Sequence, residues 1–287
     1  MVQNSKKYLL LILVLILLVG NFFIYKTIWE NSHRQFTFAV LDVGQGDAIF
    51  IESPTGTQLL IDSGPPRKIL GALQKVMSPF DRSIDAIIIT HPDADHIGGF
   101  TDVLKNYKVG RVFDPGIISD SKTYQNLENE IQNQKIPNLL ARKGMKLDLG
   151  GGAILEILFP DQDVSNWETN EGSVVAKLIY GNNSFLLTGD SPTKIERKII
   201  AENSAEVLKS DILKLGHHGS RTSSSFEFLQ AVSPRYALIS VGLDNRYNHP
   251  HQEVLDLLNK FGIKIFRTDL QGTILLKSDG QNLIFNN

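Results

Sequence analysis

Residues 8–25 form an uninterrupted apolar run of 18 residues that contains no charged side chain. About 20 apolar residues span the core of a bilayer, and this run leaves no polar face for a helix on a protein surface. A buried core helix and a cleaved signal peptide are the alternatives, but no small-residue cleavage pattern follows the run. We therefore predict a retained transmembrane anchor, with residues 1–34 forming a cytoplasmic tail, the anchor and a short linker.

The basic residues that flank the run indicate its orientation. Lys6 and Lys7 precede it, which favours a cytoplasmic N-terminus and an extracytoplasmic domain, although Lys26 and Arg34 on the other side weaken the asymmetry. The chain has no cysteine, which agrees with an extracytoplasmic location and excludes disulfides, thiol nucleophiles and cysteine-ligated zinc. We expect a single-pass protein of the cell membrane.

The remainder of the chain has the composition of a globular protein. Hydrophobic residues make up 42% of the sequence and charged residues 21%, which excludes a disordered or low-complexity chain. Residues 35–287 carry 25 basic and 30 acidic side chains, a net charge of −5. This charge argues against a protein that coats nucleic acid through bulk positive charge, and bound metal is one reason for the excess of acid.

Strand-like apolar runs alternate with segments of helical periodicity, and there is no linker or short repeat after residue 34. The pattern predicts one α/β (α+β) domain over residues 35–287, in which two sheets pack together and helices cover them. A helix is expected over residues 192–202, with Ser191 as its N-cap. The other expected strands are 36–43, 48–52, 58–62, 85–90, 153–159, 173–180, 184–188, 211–215 and 235–241, and the other expected helices are 68–77, 101–107, 121–134, 224–232 and 252–261.

Six of the seven histidines fall in three tight clusters, each of which begins where a predicted strand ends. The first cluster has the pattern H-x-D-x-D-H and places His91, Asp93, Asp95 and His96 within six residues. His91 and Asp93 can point the same way from a strand end, while Asp95 and His96 follow a tight turn and can face a second ion. Helix capping would require one carboxylate and no histidine, so the pattern predicts a metal site.

Further metal-competent residues follow later strands. Asp190 comes after the strand 184–188, where an aspartate is usually a turn residue, but beside a two-metal site it would be a bridging carboxylate. The adjacent pair His217 and His218 suits one ligand and one substrate-facing acid, unless it is a surface pair. His249 could be a ligand, a proton donor or part of a polar loop. Asp62 is expected to accept the second N–H of a ligating histidine.

These motifs resemble those of the metallo-β-lactamase superfamily, and more specifically the hydrolase domain of ComEC-type competence proteins. The matching segments are LDVGQGDA, THPDADHIGG, FLLTGD, LKLGHHGSRTSSS and NRYNHPH, in the same order. The resemblance implies a four-layer αββα sandwich, a two-metal centre at one edge and hydrolytic chemistry. It also implies that Asp93 stands where the superfamily usually has a histidine.

The resemblance assigns roles to individual residues. His91 and Asp93 would hold one ion, Asp95 and His96 the other, and Asp190 would bridge them. His218 would complete a metal site, and His217 would face the substrate. Without thiolate ligands, zinc and manganese are both suitable. We count Asp95, His217 and His249 as catalytic, with His249 protonating the leaving oxygen, and Arg221 or Arg246 as phosphate contacts.

The chain departs from the superfamily in two respects. No histidine lies between His96 and His217, where another ligand is common, so Asn170 or Ser173 is expected near that position. Asn170 is also counted as a substrate contact. ComEC-type channels have many membrane spans, whereas this sequence has one such run. A channel would have to be a separate partner protein, and the sequence does not identify one.

The leading hypothesis is a membrane-anchored, dinuclear metal-dependent phosphodiesterase or nuclease, with DNA and an envelope polymer as the candidate substrates. Tight DNA binding would favour a basic stripe, and Arg67–Lys68 with residues 214–221 supplies only a thin one. The alternatives are an esterase for a cell-envelope phosphodiester of the phosphorylcholine type, a carboxylic ester or lactone hydrolase, and a non-catalytic, metal-stabilised binding module.

Overall fold

We analysed a computed structural model of the chain, which describes residues 2–32 and 34–286. Three residues lie outside the described residues: Met1 and Asn287, at the two ends of the sequence, and His33, within the predicted linker. The first element is a 31-residue helix, α1 (Val2–Ser32). Within it, Lys7–Lys26 is long and apolar enough to cross a membrane, and these side chains are exposed along their whole length. An apolar N-terminal helix is therefore present, as the sequence predicts.

Two large sheets follow. The first has eight strands in the order β17-β16-β1-β2-β3-β5-β7-β8, and β3, β5, β7 and β8 in it run parallel. These strands are β1 (Phe36–Val40), β2 (Ile49–Glu52), β3 (Gln58–Ile61), β5 (Ala86–Ile88), β7 (Val112–Asp114), β8 (Asn138–Leu140), β16 (Ile274–Ser278) and β17 (Leu283–Asn286). A separate two-stranded sheet joins β4 (Ser83–Ile84) and β6 (Lys108–Val109).

The second sheet has seven strands in the order β15-β14-β13-β12-β11-β10-β9. They are β9 (Lys146–Gly150), β10 (Ala153–Phe159), β11 (Val175–Tyr180), β12 (Asn183–Leu187), β13 (Ile212–Lys214), β14 (Tyr236–Ile239) and β15 (Lys264–Arg267). Strands β12 to β15 are parallel, so the chain leaves their carboxyl ends at one edge. Loops that leave this edge are where side chains from several strands can meet.

The central core lies between the two sheets. Phe36 and Phe38 of the first sheet both pack against Phe185 of the second, and all three are fully buried. Alternate residues of each strand point to the opposite face, where helices cover them. The first sheet is covered by α2 (Ile69–Leu73), α3 (Ala94–Ile97), α4 (Phe100–Asn106) and α5 (Lys122–Asn133). The second is covered by α6 (Thr193–Glu202), α7 (Ala205–Leu208), α8 (Phe226–Val232) and α9 (Gln252–Lys260), while α10 (Thr268–Gln271) follows β15.

The four layers confirm the predicted αββα sandwich, and most of the expected strands and helices are present with bounds shifted by a few residues. The expected N-cap at Ser191 is wrong. The helix begins one residue later, at Thr193, with Pro192 in the capping position, and the buried Ser191 hydroxyl has no hydrogen-bond partner among the described residues. The expected strand over residues 211–215 is present as β13, but its Lys214 is completely buried and does not contribute to a basic surface stripe.

Candidate metal centre

The H-x-D-x-D-H cluster follows β5 of the first sheet. His91 and His96 are fully buried, whereas the side chains of Asp93 and Asp95 are 41% and 36% exposed. Asp93 lies at the start of the short helix α3, and that helix turns Asp95 and His96 away from His91. His91 Nε2 is 3.6 Å from Asp93 Oδ2. We call His91 and Asp93 the open group, because Asp93 faces solvent.

Asp190 comes from the second sheet and lies between the residues of the first. It follows β12 after Gly189, whose φ of +50° suits a residue without a side chain. Its Oδ2 atom is 3.4 Å from His96 Nε2 and 4.0 Å from His91 Nε2. One buried carboxylate therefore contacts both histidines of the first cluster, which is the arrangement that a bridging ligand requires.

His218 joins the centre from the turn after β13. Its Nε2 atom is 3.4 Å from Asp95 Oδ2 and 3.6 Å from Asp190 Oδ2. We call Asp95, His96 and His218 the supported group, because a buried carboxylate lies behind each of the two histidines. His217 is 28% exposed, and its Nε2 atom is 3.8 Å from Asp190 Oδ2. Both His217 and His218 have left-handed backbone conformations, with φ of +48° and +53°.

The orientation of each imidazole is fixed through its Nδ1 atom. His96 Nδ1 donates to Asp62 at 2.8 Å, and the Thr90 hydroxyl donates to the same carboxylate at 2.6 Å. His91 Nδ1 is 3.0 Å from the Thr90 oxygen, and His218 Nδ1 donates to the Ser240 carbonyl at 3.0 Å. Each ring consequently keeps Nε2 for a ligand, as metal-binding histidines do when the other nitrogen is held by protein. Asp62 stands where the sequence predicts it.

Asp47 and Lys214 lie behind His218, and the sequence does not predict either residue as part of the metal centre. Asp47 Oδ1 is 3.2 Å from His218 Nδ1, and Asp47 Oδ2 accepts a hydrogen bond from the buried Lys214 ammonium at 2.6 Å. Asp47 belongs to the Gly44–Asp47 turn, which lies in the LDVGQGDA segment that resembles the family. In sequence this carboxylate directly follows Gly46, but its partner lysine is 167 positions away.

The ligand atoms at the centre lack protein partners. His91 Nε2, His96 Nε2, His218 Nε2 and Asp190 Oδ1 are buried and form no hydrogen bond with the described part of the chain. The ligand atoms of His91, His96 and Asp190 lie within 4.8 Å of one another, and so do those of Asp95, His96 and His218. Buried polar atoms that converge without partners fit divalent ions, and the nitrogen and oxygen donors suit zinc or manganese.

The charges at the centre shift the pKa values of its histidines in opposite directions. Burial disfavours the charged form of His96, but Asp190 and Asp62 outweigh it and hold the His96 pKa well above its usual value. The same balance, with Asp190 and Asp47, raises the pKa of His218 to about 10. Burial and the neighbouring His96 lower the pKa of His91 to about 4. Asp190, buried among these imidazoles, has a pKa well below that of an ordinary carboxyl.

A cavity of about 100 Å³ opens onto the centre. His249 lines it, and its ring centroid is 5.5 Å from that of His217. Burial and the neighbouring histidines lower the pKa of His249 to about 4, so it is neutral near pH 7. The cavity is lined by Gln45, Asp93, Asp95, Asp190, His217, His218, Tyr247 and His249.

Three expected substrate contacts lie outside the lining of this cavity. Arg221 is exposed, and its guanidinium is 3.7 Å from Glu253. Arg246 is exposed and stacks over the ring of Tyr247, a residue that does line the cavity. Asn170 is on a 3-10 turn, and its buried side-chain oxygen has no partner in the described residues. Ser173, the other residue expected near the missing histidine, accepts a hydrogen bond from the Asp190 backbone at 3.3 Å.

The fold and the ligand-bearing loops agree with comparisons against known proteins. The model of the metallo-beta-lactamase superfamily matches residues 41–242, and the chain belongs to that superfamily. Superfamily members are usually metal-dependent hydrolases, and the chain is a hydrolase-fold protein of this kind with a His/Asp cluster that could bind metal.

Its curated relatives include competence proteins. ComE operon protein 3 of Bacillus subtilis (strain 168) is 35% identical over 82% of this chain and 32% of its own length. Competence protein ComA of Neisseria gonorrhoeae is 32% identical over 90% of this chain and 34% of its own length. The chain thus spans about a third of the length of these relatives.

Solved structures with low sequence identity share the fold. CmlA, a diiron beta-hydroxylase from Streptomyces venezuelae, superposes with a TM-score of 0.56 at 18% identity, over 85% of this chain and 54% of its own. Igni18, a metallo hydrolase from Ignicoccus hospitalis, superposes with a TM-score of 0.52 at 14% identity, over 83% of this chain and 98% of its own. At these identities, the likeness extends to the fold alone.

Proposed function

We propose that this protein is a membrane-anchored, extracytoplasmic phosphodiesterase that uses two divalent metal ions to cleave a polynucleotide. The observation that carries the proposal is the convergence of unpartnered, buried ligand atoms from both sheets on the shared carboxylate of Asp190. In this assignment the open group and Asp190 hold one ion, and the supported group and Asp190 hold the other. The ions are zinc or manganese, since every donor is nitrogen or oxygen.

The ions would supply a water nucleophile of lowered pKa and would neutralise the phosphoryl oxygens during an in-line displacement. The protein holds the ligands in place through the Nδ1 contacts of His91, His96 and His218. His217 is partly exposed at the cavity and is placed to contact the substrate. Its lowered pKa leaves His249 neutral near pH 7, which does not suit the expected role of proton donor. A neutral His249 would instead donate a hydrogen bond to the leaving oxygen as negative charge develops there, and that oxygen would take its proton from water.

Two observations favour a phosphodiester over a carboxylic ester. Asp93 replaces a neutral histidine with a carboxylate, which makes the donor set harder and better suited to ions that hold phosphate oxygens. The curated relatives are named for competence and recombination, which favours a nucleic acid as the polymer. A non-catalytic binding module would have no use for the solvent-open cavity above the ligands.

The proposal is tested on the full chain in neutral detergent, stripped of metal and reloaded with zinc or manganese. We expect about two ions per chain and hydrolysis of bis-p-nitrophenyl phosphate. Asp190→Ala removes the shared ligand and should abolish turnover, whereas Asp120→Ala, at an exposed position, should behave like the parent. Bound metal without phosphodiester or carboxylic ester turnover would indicate a binding module, and no bound metal would overturn the proposal.

The orientation in the membrane has its own test. The chain has no cysteine, so a single introduced thiol reports its location without background. In intact cells, an impermeant maleimide should label Asp120→Cys and should fail to label Ser5→Cys until the membrane is permeabilised. The reverse labelling pattern would place the hydrolase domain in the cytoplasm.

A further inference from the structure

A larger cavity, of about 610 Å³, lies beside the metal centre. We call it the basic groove, because Arg67, Lys68 and Lys75 line it together with the Gly44–Gln45 turn and Leu243. Arg67 and Lys68 come just before the short helix α2, and Lys75 comes just after it. All three cations are exposed. The sequence shows the first two as a pair, but only the fold adds Lys75 and the loop after β14.

The charge of the basic groove is opposite to that of the domain. Three cations face one lining carboxylate, Asp42, which accepts a hydrogen bond from the Gly44 backbone. Residues 35–287 as a whole carry a net charge of −5. Across the described ranges, none of the three cationic side chains forms an ion pair with a carboxylate. A local cluster of uncompensated cations on an acidic protein attracts an anionic ligand to that place.

The basic groove adjoins the cavity of the metal centre at Gln45. Gln45 lines both cavities. Its Oε1 atom accepts a hydrogen bond from the Gly242 backbone at 3.2 Å, and its buried Nε2 donor has no partner in the described chain. The loop after β14 also lines both cavities, because Leu243 lines the groove and Tyr247 lines the cavity at the metal centre. A chain with a phosphate at the metal centre would therefore pass into the groove.

The borders of the two cavities also expose apolar surface. Leu243 is 70% exposed at the groove, and Tyr247 is 44% exposed at the catalytic cavity with Arg246 stacked over its ring. Unpaired bases bind to exposed aromatic and arginine surfaces of this kind, and every base offers such a face. A polymer of glycerol phosphate has no flat group that would use this surface.

We propose that the basic groove binds the phosphates adjacent to the scissile one in an unpaired polynucleotide strand. This inference rests on the proposed function, because it assumes that the scissile phosphate lies at the metal centre. Its consequence is a preference for substrate length. A dinucleotide reaches only the centre, whereas a longer strand also gains the contacts with Arg67, Lys68 and Lys75.

Binding is measured separately from turnover. A fluorescein-labelled, hydrolysis-resistant phosphorothioate thymidine dodecanucleotide is titrated with the metal-loaded full chain in neutral detergent, and anisotropy is followed as salt is raised. The test variant is R67Q/K68Q/K75Q. The matched control is K105Q/K108Q/K122Q, which removes three exposed lysines outside the groove lining. Between about 50 and about 200 mM salt, the affinity of the parent for the strand should fall about 20-fold more than that of the test variant, because the variant lacks three phosphate contacts.

Turnover of the metal-loaded protein supplies the second measurement. The parent and the control should show a kcat/KM that rises from dinucleotide to dodecanucleotide, and the test variant should lose most of that rise. Tyr247→Ala should weaken binding of the dodecanucleotide about tenfold and leave binding of an abasic strand of the same length unchanged.

The outcomes separate the two proposals. If the parent hydrolyses bis-p-nitrophenyl phosphate but binds the dodecanucleotide no better than the test variant does, the groove assignment is wrong and the phosphodiesterase stands. If no phosphodiester is hydrolysed but the parent and the test variant still differ in the salt dependence of binding, the groove stands as a strand-binding site and the proposed function fails. Equal competition by poly(glycerol phosphate) would overturn the assignment to a polynucleotide.

Discussion

The supported group and the open group differ in how much protein lies behind their ligands. In the supported group, Asp62 holds His96 and Asp47 contacts His218, and the buried Lys214 in turn holds Asp47. In the open group, His91 Nδ1 contacts the Thr90 hydroxyl, which in turn donates to Asp62, and Asp93 is 41% exposed. Orienting partners raise metal affinity, so the two positions are expected to be unequal. The supported group should hold its ion tightly and the open group should exchange it.

The largest expected effect comes from removing one ligand of each group. His91→Ala and His218→Ala should each lower kcat/KM for a phosphodiester about a thousandfold, since losing one ion removes about 4 kcal/mol of transition-state stabilisation. Metal analysis after dialysis should separate them, with His91→Ala keeping the tightly held ion and His218→Ala losing it. His251→Ala is the control and should keep the parent metal content. Equal losses in the two variants would show that the positions are equivalent.

The support behind His218 should also matter for folding. Lys214→Met leaves the buried Asp47 carboxylate without its cation, and breaking a buried pair in this way costs about 3–5 kcal/mol of unfolding free energy. Lys194→Met breaks an exposed pair with Glu171 and should cost at most about 1 kcal/mol. Urea denaturation of the metal-free proteins measures both. A small effect at Lys214 would mean that Asp47 is stabilised by other contacts.

The two groups should respond differently to pH. His96 and His218 have raised pKa values, so both carry a proton near pH 7, and a metal ion must displace it. Affinity at the supported group should fall about a hundredfold from about pH 7 to about pH 6, tenfold for each displaced proton. His91, whose pKa is lowered to about 4, is already neutral there and adds no such slope. Calorimetry in buffers of different ionisation enthalpy counts the released protons, and a release near zero would contradict this account.

The smallest of these effects is expected at Asp62. Asp62→Asn keeps the shape of the side chain but weakens its acceptance of the His96 Nδ1 hydrogen, so metal affinity at the supported group should fall about 10–100-fold. The open group should lose less affinity, because Asp62 reaches His91 only through the Thr90 hydroxyl, and competition with a chromogenic chelator can resolve the difference. Asp102→Asn, at a position outside the centre, is the matched control. Loss of both ions in Asp62→Asn would show that the groups are coupled.

The sequence predicts the open group and much of the supported group, because four of their residues lie within one six-residue segment. A strand end followed by a tight turn determines the positions of His91, Asp93, Asp95 and His96 locally. The same holds for Asp190, which follows Gly189 directly. The local sequence pattern is therefore enough to predict the ligands that lie together in one turn.

The contacts between distant segments could not be predicted in this way. Lys214 is a cation next to a histidine pair in sequence, which indicates a surface stripe, but it pairs with Asp47 167 positions away in the core. The sequence predicts Arg221 and Asn170 at the substrate, but neither lines the cavity at the metal centre. Arg221 lies beside the exposed Glu253, which is 32 positions further along the chain. Short strands with few apolar residues, such as β7 and β8, also gave no clear periodicity.

The left-handed backbone at His217 and His218 connects ligand placement with selection. Residues other than glycine, asparagine and aspartate adopt this conformation at a cost of about 1–2 kcal/mol each, which the surrounding turn must overcome. A population of variants screened for heat resistance alone would accordingly be enriched in glycine or asparagine at these two positions. Such variants would be more stable, but they would lack the His218 ligand and the substrate-facing His217. Histidine at both positions therefore favours the chemistry of the site at a cost in stability.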